Sequence, residues 1–278
     1  MGSVLFSVTT AALMVLMFKG GLALVGESTL GGRRIPWAAV GLTGIALAGV
    51  VLQVCWPGAM GALDADPAKS GWWRVVTSVF MQNGGFGGAA WNIATLAAVA
   101  GFAEWFWGAP LTLCLFAAGI LLPERIDALW GQTSHSTDPR NFAGSSGATY
   151  FLGATLAAAL LLRGGADEVP DKGSQGEGPD AEGSADEGAP RQIARKTART
   201  PAGKNRLLAL AVPVLGLAMW LTQENGHGLV ACYGFALGAL ARVAFRTVLR
   251  PDRDLRQPPR TTMASLAGLV GRRARSAT

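Results

Sequence analysis

Charged residues are scarce in this chain of 278 residues. Asp, Glu, Lys and Arg make up 15% of the sequence, whereas a water-soluble domain usually contains about 25%. Hydrophobic residues account for 50% of it and are not spread evenly. They form blocks of roughly twenty residues separated by short polar stretches, which is the pattern of membrane-spanning helices. The composition therefore argues against a water-soluble protein.

Signals of several other protein classes are also missing. The three cysteines, Cys55, Cys114 and Cys232, have a spacing that fits neither a metal site nor a disulfide framework, so we expect small buried side chains. The N-terminus lacks the basic residues that begin a cleavable signal peptide, which predicts that the first apolar block is retained. The net charge is +6, but the surplus Arg and Lys lie beside apolar blocks. Membrane topology explains them better than binding to nucleic acid does.

Seven apolar blocks are long enough to be considered as membrane spans. Because they are continuous and show no period-2 alternation, they predict helices rather than the strands of a barrel. The fourth block ends at Pro123, and the sixth is short and contains Pro213. The sequence thus predicts an all-α polytopic membrane helix bundle with spans at residues 4–25, 36–56, 84–103, 105–122, 142–162, 207–221 and 226–245.

The charged residues that are present lie between the blocks and indicate an orientation. Residues 166–190 are rich in Gly, Ser, Pro, Asp and Glu, which predicts disorder because they offer little apolar surface to bury. Residues 191–206 are basic, as are Arg33, Arg34 and the tail that begins at Arg242. With seven alternating helices these basic segments share one side, which the positive-inside tendency makes cytoplasmic. The N-terminus is then external and the C-terminus cytoplasmic.

One serine and one histidine occupy informative positions. Ser146 lies between Gly144 and Gly147 at the start of the fifth block, and His227 opens the seventh block, which places both near the external side. Tyr150 lies one helical turn after Ser146 on the same face. Small residues continue the two faces, namely Gly153 and Ala157 in the fifth block and Ala231, Gly234 and Gly238 in the seventh. Packing these faces together would bring the serine and the histidine into contact, with the tyrosine beneath the imidazole.

These residue types together suit nucleophilic catalysis. A serine hydroxyl such as that of Ser146 needs an adjacent base to take its proton. The neutral imidazole of His227 can do so near pH 7, and the Tyr150 ring could fix its orientation, as an Asp does in a triad. Asn92, a polar residue within an apolar span, is the natural candidate to stabilise an oxyanion.

The same residues resemble the motifs of the rhomboid family of intramembrane serine proteases, over residues 36–245. The run from Gly144 to Gly147 looks like the family's GxSG motif, Tyr150 follows at the expected distance, and His227 resembles the catalytic histidine. Asn92 resembles the asparagine of the second core helix. The remaining matches are a Trp-Arg pair at Trp73 and Arg74, a packing glycine at Gly234, and a helix ending formed by Gly101, Glu104 and Gly108.

Two positions depart from the family pattern. Gly88 stands where a histidine commonly precedes the asparagine by four residues, so one oxyanion donor is missing unless Gln82, Asn83 or backbone N–H groups replace it. Val230 stands where a glycine usually follows the catalytic histidine by three residues. The serine and the histidine themselves are both present.

The resemblance implies a six-helix core with one extra N-terminal transmembrane helix. Residues 1–35 would form that helix and a cytoplasmic loop, residues 36–249 the core with a disordered cytoplasmic insertion at 164–205, and residues 250–278 a basic cytoplasmic tail. It further implies an endopeptidase of the plasma or inner membrane that cleaves transmembrane segments of other membrane proteins. Ser146 and His227 would be catalytic and Asn92, Tyr150 and Gly144 supporting, with no metal or cofactor.

Two other functions fit parts of the sequence. A catalytically inactive rhomboid-like protein that binds transmembrane helices would account for Gly88, although such a protein would normally have lost the serine or the histidine. An unrelated transporter or scaffold would place Asn92, Glu104 and Arg242 in a polar pathway, but it predicts inverted repeats that the sequence does not show.

Supporting roles are expected for three further residues. Glu104 and Arg74 would be structural, satisfying loop backbone or forming an ion pair. The sixth block with Pro213 would act as a gate against the third block, through which a substrate segment reaches the site from the bilayer.

Overall fold

The computed structural model describes residues 2–26, 33–66, 68–129, 143–163 and 202–245. In these ranges the regular structure is helical, and seven of the helices are long and apolar enough to cross a membrane. The helices are α1 Gly2–Val25, α2 Trp37–Cys55, α3 Ala59–Leu63, α4 Arg74–Thr77, α5 Gly85–Trp107, α6 Ala109–Leu129, α7 Ser146–Arg163, α8 Ala202–Gln223 and α9 Gly226–Ala244. The predicted all-α, multi-pass membrane architecture is confirmed at this level.

The two helices that contain prolines are longer than predicted. Helix α6 continues through Pro123, where the sequence predicted its end, and α8 runs for 22 residues through Pro213. Proline is tolerated inside membrane helices when neighbouring groups satisfy the backbone atoms that it leaves unpaired. The carbonyl oxygen of Pro213 itself lies 3.5 Å from the Cys232 Sγ, which places this part of α8 against α9. The sixth span is therefore not short.

The predicted boundaries of the insertion and of two spans are also corrected. Residues 202–205, placed in the disordered insertion, form the first turn of α8, while residues 164–201 and the tail 250–278 lie outside the described residues. Helix α5 extends to Trp107 instead of ending near Glu104. It stops at Gly108, whose positive φ of 81° ends the helix without the strain that other residue types would incur.

Helix α7 is the hub of the bundle. Every residue from Ala148 to Leu160 is buried, and α7 packs against α1, α5, α6, α8 and α9. The sequence permits this because small residues alternate with leucines along the helix, so that neighbouring helices can approach on all sides. Since Ser146 is the first residue of α7, it is held at one end of the most buried of the seven described membrane-spanning helices.

Close contact between α7 and α9 depends on two glycines of α9. A Cβ atom added at Gly234 would fall on the carbonyl oxygen of Phe151, and one added at Gly238 would lie 2.5 Å from the Cα atom of Thr155. The predicted small face of α9 is thus confirmed. On α7 the prediction is wrong at Gly153, which faces Met17 of α1, where an added Cβ would lie 2.9 Å from the Met17 sulfur.

Helix α1 packs into the bundle rather than beside it. It lies on α7 between α5 and α8. Towards α5, Phe18 and Phe102 form an edge-to-face pair with centroids 5.0 Å apart. Towards α8, the Thr9 hydroxyl donates to the Gln223 side-chain oxygen over 3.1 Å. Leu13, Met14, Met17 and Leu24 of α1 are all buried.

Glu104 and Arg74, which we expected to be structural, bond a backbone N–H and a carboxylate respectively. Glu104 Oε2 accepts a hydrogen bond of 2.9 Å from the backbone N–H of Ala39, one of the unpaired donors at the start of α2. Arg74 pairs with Asp64 at 3.2 Å in the segment between α2 and α5, and Lys69 pairs with the same carboxylate at 2.8 Å. The two ion pairs of Asp64 fix the segment that leads into α5.

The two ends of the bundle differ in charge. Arg33 bonds the carbonyl of Val25 at the end of α1, and Arg163 at the end of α7 donates to Leu24 over 2.7 Å. Lys204 lies in the first turn of α8 at this same end. Ser146 and His227 lie at the opposite end, because they begin α7 and α9.

The expected burial of the cysteines is only partly right. Cys232 is half-buried, but Cys55 and Cys114 are exposed on helix surfaces. In a membrane protein such surfaces face lipid, where an apolar thiol incurs no penalty, so hydrophobicity alone does not identify the protein-facing side.

Replacing Gly234 with alanine should loosen the contact between α7 and α9. The added methyl group meets the backbone of α7, and overpacking of this kind costs about 1–3 kcal/mol. We expect a lower thermal midpoint for the detergent-purified variant. Gly41→Ala on α2 is the matched control, because nothing lies within 4 Å of a Cβ added there. Equal midpoints for the two variants would contradict the proposed contact.

Candidate active site

The side chains of Ser146 and His227 meet at one end of the bundle. Ser146 Oγ lies 3.0 Å from His227 Nε2, within hydrogen-bond distance. The two residues are 81 positions apart in the sequence and stand in the first turns of α7 and α9. The glycine contact between these helices therefore sets the separation of the pair.

Gly144 shapes the turn that leads into α7. Its φ of 133° is a conformation that residues with a Cβ rarely adopt, and its N–H donates to the carbonyl of Ser78 over 3.0 Å. A Cβ at this position would lie 3.6 Å from both Asn92 Nδ2 and Ser146 Oγ. Glycine therefore keeps open the space between the amide and the hydroxyl.

Tyr150 contacts the imidazole with its ring and α1 with its hydroxyl. The ring centroids of Tyr150 and His227 are 4.9 Å apart at an interplanar angle of 67°, an edge-to-face contact rather than a parallel stack. The buried Tyr150 hydroxyl donates to the carbonyl oxygen of Thr10 over 2.8 Å. The predicted position next to the imidazole is observed.

Asn225, which sequence reasoning missed, holds the other side of the imidazole. It is the N-cap of α9 and is fully buried. Its Oδ1 accepts from the backbone N–H of His227 over 3.0 Å and lies 3.1 Å from His227 Nδ1. Its Nδ2 donates to the Thr10 hydroxyl oxygen over 3.0 Å.

These contacts determine where the proton of the neutral imidazole lies. A backbone N–H can only donate, so the Asn225 atom that faces it must be the amide oxygen. The same oxygen faces His227 Nδ1, which must therefore carry the ring proton. Nε2 is then left with a lone pair directed at the Ser146 hydroxyl. This is the tautomer that a general base requires.

Asn92 and Gln82 form an amide pair on the other side of Gly144. Asn92 Nδ2 donates to Gln82 Oε1 over 2.9 Å. The backbone of Gln82 is fixed by Gln53, whose side chain donates to its carbonyl and accepts from its N–H, each over 2.9 Å. Gln82 Nε2 is buried and makes no hydrogen bond within the described ranges.

No side chain fits at position 88 without movement of the backbone. A Cβ added to Gly88 would lie 2.8 Å from the carbonyl oxygen of Asn83. The histidine that the rhomboid pattern has at this position is therefore not only absent but sterically excluded by the turn that precedes α5. Gln82 Nε2, which has no partner within the described structure, is a donor that the sequence analysis named only as one of several possible replacements for this histidine.

Besides Asn225, the sequence did not predict that residues of α1 contribute to the site. Thr10 bonds both Tyr150 and Asn225, and the Phe6 ring lies 6.2 Å from the imidazole centroid in an edge-to-face arrangement.

The sequence contains a signal for one of the two missed residues. Asparagine is a preferred N-cap residue, and Asn225 directly precedes a helical block. No local pattern marks Thr10.

Comparisons with protein-family models, curated proteins and solved structures found nothing that matches the chain. The function must therefore be argued from the residues of the site and their geometry.

Proposed function

We propose that the protein is a rhomboid-type intramembrane serine endopeptidase that cleaves transmembrane segments of other membrane proteins. The observation that carries the proposal is the hydrogen-bond distance of 3.0 Å between Ser146 Oγ and His227 Nε2, at the end of two membrane-spanning helices. A serine beside an imidazole in the accepting tautomer is the arrangement of an activated nucleophile. The rhomboid-like motifs follow one another in the expected order, at Trp73 and Arg74 before α5 and then at α5, α7 and α9.

The proposed reaction is two-step hydrolysis of a peptide bond. Ser146 Oγ attacks the carbonyl carbon while His227 Nε2 takes the hydroxyl proton. The tetrahedral intermediate collapses, His227 gives the proton to the leaving amine, and an acyl ester remains on Ser146. Water then attacks the ester with the same base, which releases the new carboxylate and restores the serine. The position of the pair at the end of α7 and α9 gives water a short path to it.

The negative oxygen of the intermediate needs hydrogen-bond donors. The N–H groups at the start of α7 have no intrahelical partner, so that of Ser146 is available. Asn92 Nδ2 adjoins the same space beside Gly144. Gln82 Nε2 is a buried donor without a partner in the described structure, and we assign it the role that a histidine at position 88 would have had. Buried unpaired donors are rare and call for such an explanation.

A substrate segment would reach the site from the bilayer between α8 and α1. The original expectation placed the gate between α8 and α5, but α1 occupies the space between those helices. Helix α8 is the better candidate to move, because most of its surface is exposed and it contains Pro213. Its end is tied to α1 through the bond between Thr9 and Gln223.

The charge distribution supports a location in the plasma or inner membrane with the N-terminus external. Arg33, Arg163 and Lys204 lie at the end of the bundle away from Ser146. By the positive-inside tendency that end is cytoplasmic, which places the proposed catalytic pair on the external side.

The two rival functions are less well supported. An inactive helix-binding protein would account for Gly88. It would not explain why His227 is paired with Ser146 or why its Nδ1 carries the ring proton. A transporter pathway through Asn92 and Glu104 would have to run from one end of α5 to the other. The two side chains are instead bonded to Gln82 and to the backbone of Ala39.

The detergent-solubilised protein should react with a fluorophosphonate probe at Ser146. Ser146→Ala should abolish labelling, and His227→Ala should slow it by at least about 10³-fold because the base is lost. In-gel fluorescence measures both effects. Ser145→Ala is the matched control, since the adjacent Ser145 hydroxyl is fully buried and bonds to nothing in the described structure. Absence of labelling in folded wild-type protein would favour the inactive helix-binding protein.

Removing the Gln82 amide should slow the same labelling reaction. Gln82→Met keeps the length of the side chain but has no donor, and loss of one oxyanion donor typically costs about 10²–10³-fold in rate. The control is Gln223→Met, which removes an amide that bonds Thr9 outside the proposed oxyanion site. If Gln82→Met labels as fast as wild type, Gln82 is not an oxyanion donor.

A tether between α8 and α1 should block substrate cleavage but not labelling by the small probe. Cysteines at positions 9 and 223, joined by a short thiol cross-linker in a variant without the three native cysteines, would connect side chains that are now 3.1 Å apart. The assay is cleavage of a single-pass reporter in liposomes, before and after cross-linking. A tether between positions 18 and 102, joining α1 to α5, is the control and should leave cleavage unchanged. The opposite pattern would place the gate between α1 and α5.

A further inference from the structure

We infer that Asn225 is a positioning residue that completes a Ser146–His227–Asn225 relay, and that Thr10 of α1 holds this relay in place. The inference rests on the proposed function, because it assigns the group that orients the base of that reaction. It also makes α1, which lies outside the rhomboid-like motifs, a part of the active site.

Asn225 is fixed by bonds on both ends of its amide. The oxygen faces the backbone N–H and the Nδ1 of His227, and the nitrogen donates to Thr10 Oγ1. Reversing the amide would place an NH2 group against the His227 backbone N–H. Because the side chain is fully buried, water could not relieve that clash of donors. Only one orientation of the amide is therefore stable.

That fixed orientation matters because an asparagine is normally a poor substitute for the aspartate of a triad. A free amide can turn its NH2 group towards the imidazole, which selects the wrong tautomer and costs about 10⁴-fold in rate in the well-studied triad case. Here the N-cap bond to the His227 backbone prevents that rotation. A neutral residue can thus do the orienting without placing a second charge in a membrane-embedded site.

Thr10 anchors two groups that flank the imidazole. Its hydroxyl oxygen accepts from Asn225 Nδ2 over 3.0 Å, and its carbonyl accepts from the Tyr150 hydroxyl over 2.8 Å. Asn225 fixes the edge of the ring at Nδ1, and Tyr150 packs against it. One residue of α1 therefore controls both constraints on the orientation of His227.

A simpler role for Asn225 is helix capping alone, and two substitutions separate the roles. Capping needs only a side-chain acceptor for the His227 backbone N–H, which serine provides as well as asparagine does. Serine is too short to bond Nδ1 as well. Aspartate can accept from both groups. If Asn225 orients the imidazole, Asn225→Ser should lose that function and Asn225→Asp should retain it.

The direct readout is the ring tautomer, measured by ¹⁵N NMR of histidine-labelled protein at a pH where the imidazole is neutral. Replacing His135, the other histidine of the chain, with Gln leaves His227 as the single signal. We expect the Nδ1–H form in the wild-type background and in Asn225→Asp. In Asn225→Ser the Nε2–H form should become prominent, while the thermal midpoint stays near that of wild type because the cap is preserved.

The rate of fluorophosphonate labelling gives the second readout. Asn225→Ser should be about 10–100-fold slower than wild type, the loss typical when the hydrogen-bond partner that orients a metal-bound histidine is removed. Thr10→Val should slow labelling about tenfold, because Asn225 Nδ2 then loses its acceptor. Thr43→Val on α2 is the matched control, because the Thr43 hydroxyl makes no hydrogen bond within the described structure. It should label at the wild-type rate.

The outcomes distinguish this inference from the proposed function. If Asn225→Ser keeps the Nδ1–H tautomer and labels like wild type, Asn225 is a cap only and the relay is wrong. If Thr10→Val and Thr43→Val behave alike, α1 does not hold the relay. If wild-type protein does not label at Ser146, the proposed protease function fails, and the tautomer measurement still decides whether Asn225 orients His227.

Discussion

Direct backbone contact between α7 and α9 is the constraint on which the site depends. Lipid gives helices no hydrophobic reason to associate, so close packing of small residues must hold them together. Gly234 and Gly238 allow α9 to touch the backbone of α7 at Phe151 and Thr155. Serine and histidine side chains are short, and they meet at 3.0 Å only because the two helices start side by side at this separation.

Hydrogen bonding explains why polar residues can gather at this end of the bundle. An unpaired polar group costs several kcal/mol in an apolar environment, roughly 2–7 by transfer measurements. Thr10, Asn225 and Tyr150 satisfy one another, so the site is stable without substrate. Within the described structure Gln82 Nε2 and Ser145 Oγ are exceptions, and Gln82 Nε2 lies on the amide that Asn92 bonds. A donor left unpaired at this cost is the kind of feature expected where charge develops in a transition state.

Local patterns in the sequence predicted the seven spans and the meeting of Ser146 with His227, because hydrophobic blocks and helical spacing are local properties. They did not predict which neighbour each helix face would meet. Gly153 was expected to face α9 and faces α1 instead. The bond from Asn225 to Thr10 joins residues 215 positions apart, and no periodicity links them. The helix end expected at Pro123 is absent, because a membrane helix can continue through a proline when neighbouring groups satisfy its backbone.

The positions of α1 and α8 link the proposed entry path of the substrate to the orientation of His227. Gln223 ends α8, and Asn225, which orients His227, follows it by two residues across a turn in which Glu224 has a φ of 50°. Thr9 and Thr10 bond Gln223 and Asn225 respectively, so one turn of α1 holds both the proposed gate and the proposed relay. The same turn of α1 therefore joins the path proposed for the substrate to the group proposed to orient the base.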